Sequence, residues 1–314
     1  MLTYHALCQV PEIFPALTGL TRDEFDRLVA DFTAARDRLR ASSERTKRGT
    51  PRQRAAGAGA PPAHDPPTRL LMALVWLRIY PTFELLGWLF GLEKSNAWEN
   101  VQDALAVLET LADFPFERPA AEREKLATQR AVIDAFPQVA VIIDAKEQPF
   151  RRPQGWERQK PFYSGKKKRH TVKNQVACRP DGRIAAVSAT VPGSTHDLTV
   201  LRGDGLLHRL DADEGAMGDK AYTGAQEDRP EVPVVVPTKA TRGHPLTEEQ
   251  EAANRVISRW RVVIEHVNAQ LNRFQVLKQV FRSVFGRHTR VIRVVAALVD
   301  RRIAAAPLKT YVVT

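Results

Sequence analysis

Three acidic residues stand where metal-dependent chemistry would need them. Asp144 follows the apolar run Val139-Ala140-Val141-Ile142-Ile143, Asp219 lies in Ala216-Met217-Gly218-Asp219-Lys220-Ala221-Tyr222, and Glu265 closes Arg261-Val262-Val263-Ile264-Glu265. The pattern predicts the first two at strand ends and the third on a helix. A carboxylate at the end of a buried strand is costly unless a cation meets it. Three converging carboxylates would make an oxygen-only site of the kind that hard divalent ions such as Mg²⁺ or Mn²⁺ prefer. Two such ions bracketing a phosphodiester support phosphoryl transfer.

The supporting elements follow from periodicity. Thr247-x-x-Gln250 predicts the start of a long helix reaching about residue 278, with an apolar stripe of Trp260, Val263, Ile264, Val267, Leu271 and Phe274. Glu265 borders that stripe, and Arg261, one turn earlier, is placed to orient it. Strands are predicted over 139–143, 170–179, 183–191, 215–218 and 232–236, with Pro180-Asp181-Gly182 as a hairpin turn. A helix is predicted over 198–210 and a last one over 290–305. Each carboxylate has a plainer reading: Asp144 as a cap after its strand, Asp219 as the start of a turn, Glu265 as a solvated helix charge.

The opening third reads as helical. Thr21 and Glu24 form a capping-box pattern before a helix that runs into Arg36, Arg38, Arg40, Arg45, Lys47, Arg48, Arg52 and Arg54. A Gly/Ala/Pro connector follows at 55–67, then a core helix over 69–80 stopped by Pro81. Helices over 82–90 and 96–111, joined by a turn at 91–95 with Asn96-x-x-Glu99 as a capping box, resemble a helix-turn-helix. Trp98, Asn100 and Gln102 are its candidate DNA contacts, although Glu93, Glu99 and Asp103 suit phosphates poorly. The expected domains are therefore a helical segment with a basic tail (1–54), a linker (55–67), a helical helix-turn-helix-like domain (68–135) and an α/β domain (136–306).

Composition narrows the function. The 314 residues allow about two domains, and 43% hydrophobic with 26% charged residues fits a soluble globular chain. A net charge of +11 suggests a polyanionic partner. The basic insertion Arg151, Arg152, Arg158, Lys160, Lys166, Lys167, Lys168 and Arg169, interleaved with Trp156, Phe162 and Tyr163, is the candidate DNA grip, with bases stacking on its rings. Two distant cysteines, Cys8 and Cys178, exclude a disulfide scaffold and offer no structural zinc spacing. No signal peptide or membrane-length apolar run is seen, so a cytoplasmic, nucleoid-associated protein is expected. Gly-rich phosphate loops and nucleophile elbows are absent, which argues against a metabolic enzyme.

Asp144 after its strand, Gly193-Ser194-Thr195-His196-Asp197 before a helix, Gly218-Asp219-Lys220-Ala221-Tyr222 and Arg261-x-x-x-Glu265 together resemble DDE transposases of the bacterial insertion-sequence, Harbinger-related branch. The resemblance spans about residues 139–298. It implies an RNase H-like mixed-sheet catalytic domain, preceded by an α-helical, helix-turn-helix-like region. It also implies Asp144, Asp219 and Glu265 as catalytic metal ligands, with Mg²⁺ or Mn²⁺, two ions, as cofactor. In that family the second Asp follows the fourth strand, which favours Asp219 over Asp197. Asp197 is then a helix cap or a support, with a lesser claim as a metal ligand, and His196 is a hydrogen-bonding partner. Two departures stand out: Ala145-Lys146 follow the first Asp where a small residue and Thr are common, and Asn272-Arg273 occupy the place of a basic residue two turns after the Glu.

The resemblance implies strand nicking by activated water, then attack of the freed 3′-hydroxyl on target DNA. Asp144 would bridge both ions, with Asp219 and Glu265 holding one each. Double-stranded DNA, as element ends and target, is the expected partner, with a homodimer or higher oligomer holding both ends. A transposase-derived DNA-binding protein without catalysis, and another RNase H-like nuclease, are the alternative readings.

Overall fold

The computed structural model describes residues 1–42, 62–114, 139–212 and 214–308. The basic residues Arg45, Lys47, Arg48, Arg52 and Arg54, the connector up to residue 61 and the expected boundary near 135 lie outside them. The chain forms two compact units. One comprises 1–113 with 273–276 and 293–295; the other comprises 114–272, 277–292 and 296–314.

The first unit is helical. α1 (Tyr4–Leu7) and α2 (Phe14–Thr18) lead into α3 (Arg22–Ser42), whose start carries the expected capping box: Glu24 N donates to Thr21 Oγ1 (3.3 Å) and Thr21 N to Glu24 Oε2 (2.7 Å). α3 buries Phe25, Leu28 and Phe32 along one face. α4 (Pro66–Ile79) is buried from Thr68 to Leu77 on every side, as an all-round apolar helix must be. It starts at Asp65, which accepts from Thr68 N at 2.9 Å, and ends at Tyr80 in the left-handed region (φ 58°) before Pro81. α5 (Phe83–Phe90) is capped by Thr82 and closed by Gly91 (φ 68°). α6 spans Lys94–Glu109, two residues earlier than the sequence predicts. Glu93 is its N-cap, so Asn96 lies inside the helix, where its carbonyl accepts from Asn100 Nδ2 (2.8 Å), and the expected Asn96 capping box does not form.

The second unit is a mixed α/β assembly. β1 (Val139–Pro149) pairs antiparallel with β3 (Arg169–Cys178) and parallel with β6 (Gly215–Met217), which pairs parallel with β7 (Val234–Val235). The short β2 (Tyr163–Ser164), β4 (Ile184–Val187) and β5 (Val191–Pro192) all pair antiparallel with β3. A four-residue helix, α7 (Trp156–Gln159), lies in the insertion, and α8 (Asp197–Asp204), α9 (Glu248–Leu271) and α10 (His288–Ala305) complete the unit. A core cluster of the unit packs Ala140, Val141, Ile143 and Ala216 with Leu201, Leu206 and Tyr222.

Several expected boundaries move, each for a local reason. β1 does not stop at Asp144: it keeps its β3 partner through Pro149↔Thr171, because Lys146 and Gln148 are buried with polar partners although they are not apolar. Asp144 is therefore within the strand. The strand predicted over 232–236 shrinks to two residues, since Pro233 and Pro237 supply no N–H to a ladder. The long helix ends at Leu271 rather than 278, with Asn272 as its C-cap; its Thr247/Gln250 capping box is present. The helix predicted over 198–210 breaks at Gly205 (φ 64°) and continues as a 3₁₀ turn, Leu206–Arg209. α10 is tied to β4: Arg183 donates twice to the Asp300 carboxylate (2.9 and 2.8 Å), and Ile184 N donates to the same group at 2.8 Å. No helix among the described residues is long and apolar enough to cross a membrane.

Candidate active site

Strand register brings the first two carboxylates together. The last parallel β1–β6 pair is Ile142↔Met217, and two residues further along each chain come Asp144 and Asp219. β6 ends there, so Asp144 lies where β1 loses its parallel neighbour. Gly218 makes the turn possible: a side chain there would press on the Tyr222 ring (2.7 Å) and on Ile143 (3.1 Å). Tyr222 itself is buried, its hydroxyl without a hydrogen-bond partner, and burial pushes its ionisation far up. The ring is core packing for the turn. Asp219 Oδ1 accepts from Ala221 N at 2.8 Å, capping the 3₁₀ turn Lys220–Tyr222, so it is a turn-former and a cleft residue at once.

Both carboxylates line an open cleft of about 590 Å³ with Glu147, Asp197, Lys166, Lys167, Lys173 and Arg261. Asp144 is held by two residues of α9. Asn268 Nδ2 donates to Oδ2 at 2.9 Å, and the Arg261 guanidinium stands 3.8 Å from Oδ1. Arg261 thus faces Asp144, not Glu265 as the sequence suggests. Burial pushes the Asp144 carboxyl up to about 6; Arg261 opposes that rise, while the negative charges of Asp219 and Asp197 add to it.

Asp197 is not the cap of α8. His196 takes that place, its Nδ1 accepting from Leu198 N at 3.3 Å, and Asp197 is the first helical residue. Its carboxylate instead accepts from Lys173 Nζ at 2.7 Å, and the same ammonium donates to Thr195 O at 2.6 Å. Gly193 lets this loop approach β3, because a side chain there would collide with Thr171 Oγ1. Lys173 gave no sequence signal beyond being one basic residue in a strand. Asn268 was findable, since it lies seven residues after Arg261 and hence on the same helix face.

Glu265 is exposed on α9 and is not part of the cleft lining. It lies four residues after Arg261 and three before Asn268, about 40° around the helix from the former and 60° from the latter at 100° per residue. Among the described residues no three His, Cys, Asp or Glu side chains gather closely enough to hold one ion. The residues that do fit a hard divalent cation are Asp144 and Asp219: oxygen donors just past the last β1–β6 pair, their negative charge opposed in part by Arg261. Asn268 Oδ1, buried and without a partner, adds an oxygen next to them.

Below Asp144 on the same β1 face, a buried polar chain replaces apolar core. Lys146 Nζ donates to Asn272 Oδ1, and burial pushes its pKa down to about 8. Gln148 bonds Gln279 O and His288, whose other nitrogen meets Thr190 Oγ1 at 2.9 Å. Burial holds the His288 imidazole neutral, its pKa down to about 3.

The basic insertion divides. Lys166 and Lys167 line the carboxylate cleft, Lys160 lies in the 3₁₀ turn Lys160–Phe162, Lys168 takes a left-handed conformation (φ 52°) and Arg169 opens β3. Arg151, Arg152 and Arg158 line a separate pocket with Phe150, Phe162 and Phe285. The helix-turn-helix candidates Trp98, Asn100 and Gln102 are half-buried on α6.

A relative fits this picture. A probable transposase for insertion sequence element IS702 of Microchaete diplosiphon is 26% identical over 282 residues, which cover 88% of this chain and 88% of that one. No solved structure matches the chain. A family model described as DDE superfamily endonuclease matches residues 143–300, a segment holding the two paired carboxylates, the Lys173–Asp197 ion pair and α9. The chain belongs to the DDE superfamily endonucleases.

Proposed function

We propose that this endonuclease is the transposase of an insertion element, cutting the element's DNA ends and joining them to target DNA. The observation that carries the reading is the Asp144–Asp219 pair, set side by side by strand register in an open cleft with cationic walls. Likeness to the IS702 transposase along most of both chains supports it.

Asp144 and Asp219 would hold the divalent ion, which supplies Lewis acidity toward a phosphodiester and toward the attacking oxygen. We assign Glu265 as the third carboxylate, supported by its place on α9 within one turn of both Arg261 and Asn268, about 40° and 60° around the helix from them. The oxygen-only donor set fits Mg²⁺ or Mn²⁺, and the number of ions, two in this reading, is what the likeness to DDE transposases implies. Asn268 keeps Asp144 oriented by donating to Oδ2. Arg261 offsets part of the Asp144 charge and would meet a bound phosphate. Lys166 and Lys167 attract the backbone along the same wall. The element order of the second unit supports an RNase H-like domain, and α5–α6 a helix-turn-helix that positions double-stranded DNA, in an oligomer holding both ends.

The test uses cleavage of the cognate ends and metal binding together. Asp144→Ala, Asp219→Ala and Glu265→Ala each lose Mg²⁺-dependent cleavage, and titration calorimetry shows weaker Mn²⁺ binding for each. A Glu265→Ala protein that cuts and binds Mn²⁺ normally removes Glu265 from the site; unchanged behaviour of all three rejects the catalytic reading.

A further inference from the structure

The second pocket, lined by part of the basic insertion expected to grip DNA, lies outside the carboxylate cleft. It measures about 740 Å³, within the range of small-ligand sites of about 300–1,000 Å³. Its floor is a cluster of three rings: Phe150 to Phe162 at 5.0 Å, Phe162 to Phe285 at 5.2 Å and Phe150 to Phe285 at 6.3 Å between centroids. Its rim carries Arg151, Arg152 and Arg158, and no carboxylate lines it. Arg152 Nε donates to Gln159 Oε1 at 2.8 Å, while the guanidinium groups of Arg151 and Arg158 have no acidic partner among the described residues. The pocket adjoins the cleft in the chain: Pro161 and Phe162 line the pocket, and Tyr163 to Lys167 line the cleft. Ser194, a cleft residue, donates to Pro161 O at 2.7 Å and fixes the two together.

We propose that the Phe150–Phe162–Phe285 pocket takes one unpaired DNA nucleotide, the base against the rings and the flanking phosphates on Arg151 and Arg158. The pairing of chemistries carries this. A duplex offers phosphates to arginines but keeps its bases stacked away from rings, and an apolar peptide offers rings a partner but leaves the cations unmatched. An unstacked nucleotide satisfies both, since every base has a π-face and every nucleotide brings an anion. Beside a strand-cutting cleft, such nucleotides arise wherever the duplex frays at a nick. The proposal rests on the DNA-acting reading and goes further, giving the site a preference for opened DNA.

The experiment titrates the full chain into a fluorescein-labelled single strand, the matching perfect duplex, and a duplex with one unpaired 2-aminopurine. Phe162→Leu and Phe285→Leu are expected to weaken single-strand binding about tenfold and to abolish the change in 2-aminopurine emission. Perfect-duplex affinity should stay within about twofold. Arg151→Ala and Arg158→Ala, surface changes that leave the fold alone, should also weaken single-strand binding. Unchanged single-strand affinity in the arginine variants, or in folded leucine variants, overturns the pocket. Wild-type protein that binds duplex but ignores the unpaired base sinks only this inference, whereas failure to bind any DNA sinks the transposase reading with it.

Discussion

The cleft and the phenylalanine pocket share the basic insertion as a wall, but only the cleft adds cations from outside it that meet carboxylates. In the cleft, charge meets charge: Lys173 binds Asp197 and Arg261 faces Asp144, on side chains mostly withdrawn from water. In the pocket, cations and rings line one hollow with no carboxylate among the lining residues. The cleft is thus built to hold charge at a fixed geometry, while the pocket's charges are free for a ligand. Desolvation makes the first rigid and costly; solvent screening makes the second cheap and adaptable.

The contrast can be broken or sharpened experimentally, beginning with the largest effect. Asp144→Asn and Asp219→Asn should each lower the rate of DNA-end cleavage by about 10³-fold or more, the scale of losing a metal ligand's charge stabilisation. Phe285→Leu should cost far less in the same gel assay. Equal losses would merge the two regions into one site.

The second effect is on stability. The Asp144 carboxyl, raised to about 6 from about 3.8, holds its proton more tightly in the folded chain than in the unfolded one. Its favourable contribution is therefore full below the unfolded value and is lost as pH rises through about 6. At pH 7 the ionised group costs up to about 3 kcal/mol, so Asp144→Asn should melt higher than wild type there and no higher at pH 4. His288 works the other way: its pKa falls to about 3, so its contribution is lost as pH drops from about 6.5 toward 3. Thermal scans across pH separate the two, and an Asp144→Asn protein no more stable at pH 7 would show the carboxylate is not strained.

Lys173→Met should destabilise by about 2 kcal/mol, somewhat below the cost of breaking a fully buried pair, because Asp197 loses its counter-ion. Arg158→Met should change stability by less than about 0.5 kcal/mol. Denaturant midpoints that move equally would erase the paired-versus-unpaired distinction. Smallest of all, Lys166→Ala should reduce the log–log salt slope of duplex binding by about 1, and Arg158→Ala that of single-strand binding by about 0.7. A slope unmoved by either removes that residue from the DNA path.

Much of the scaffold was legible in the chain because it rests on local rules. Thr21/Glu24 and Thr247/Gln250 form their capping boxes, the apolar stripe of α9 is buried where its period puts it, and Pro81 follows the end of α4. The mixed α/β character of the second unit follows from its alternation of strands and helices. Failures came where polar residues took core positions. Lys146 and Gln148 extend β1 because Asn272, His288 and Gln279, all more than a hundred residues away, satisfy them. No window of sequence contains that information.

The same division applies to the site. The sequence by itself put Asp144 and Asp219 forward, each after a short apolar run expected to be a strand, together with Glu265 and, with a lesser claim, Asp197. Only the tertiary structure decided who meets whom: the β1–β6 register sets Asp219 beside Asp144, Arg261 and Asn268 reach Asp144, and Lys173 takes Asp197. It also split one basic run between two concave surfaces. The reason is physical. Caps and periodicity act within a few residues, whereas register and ion pairing depend on which distant segments share a wall, and burial sets their energies once they do.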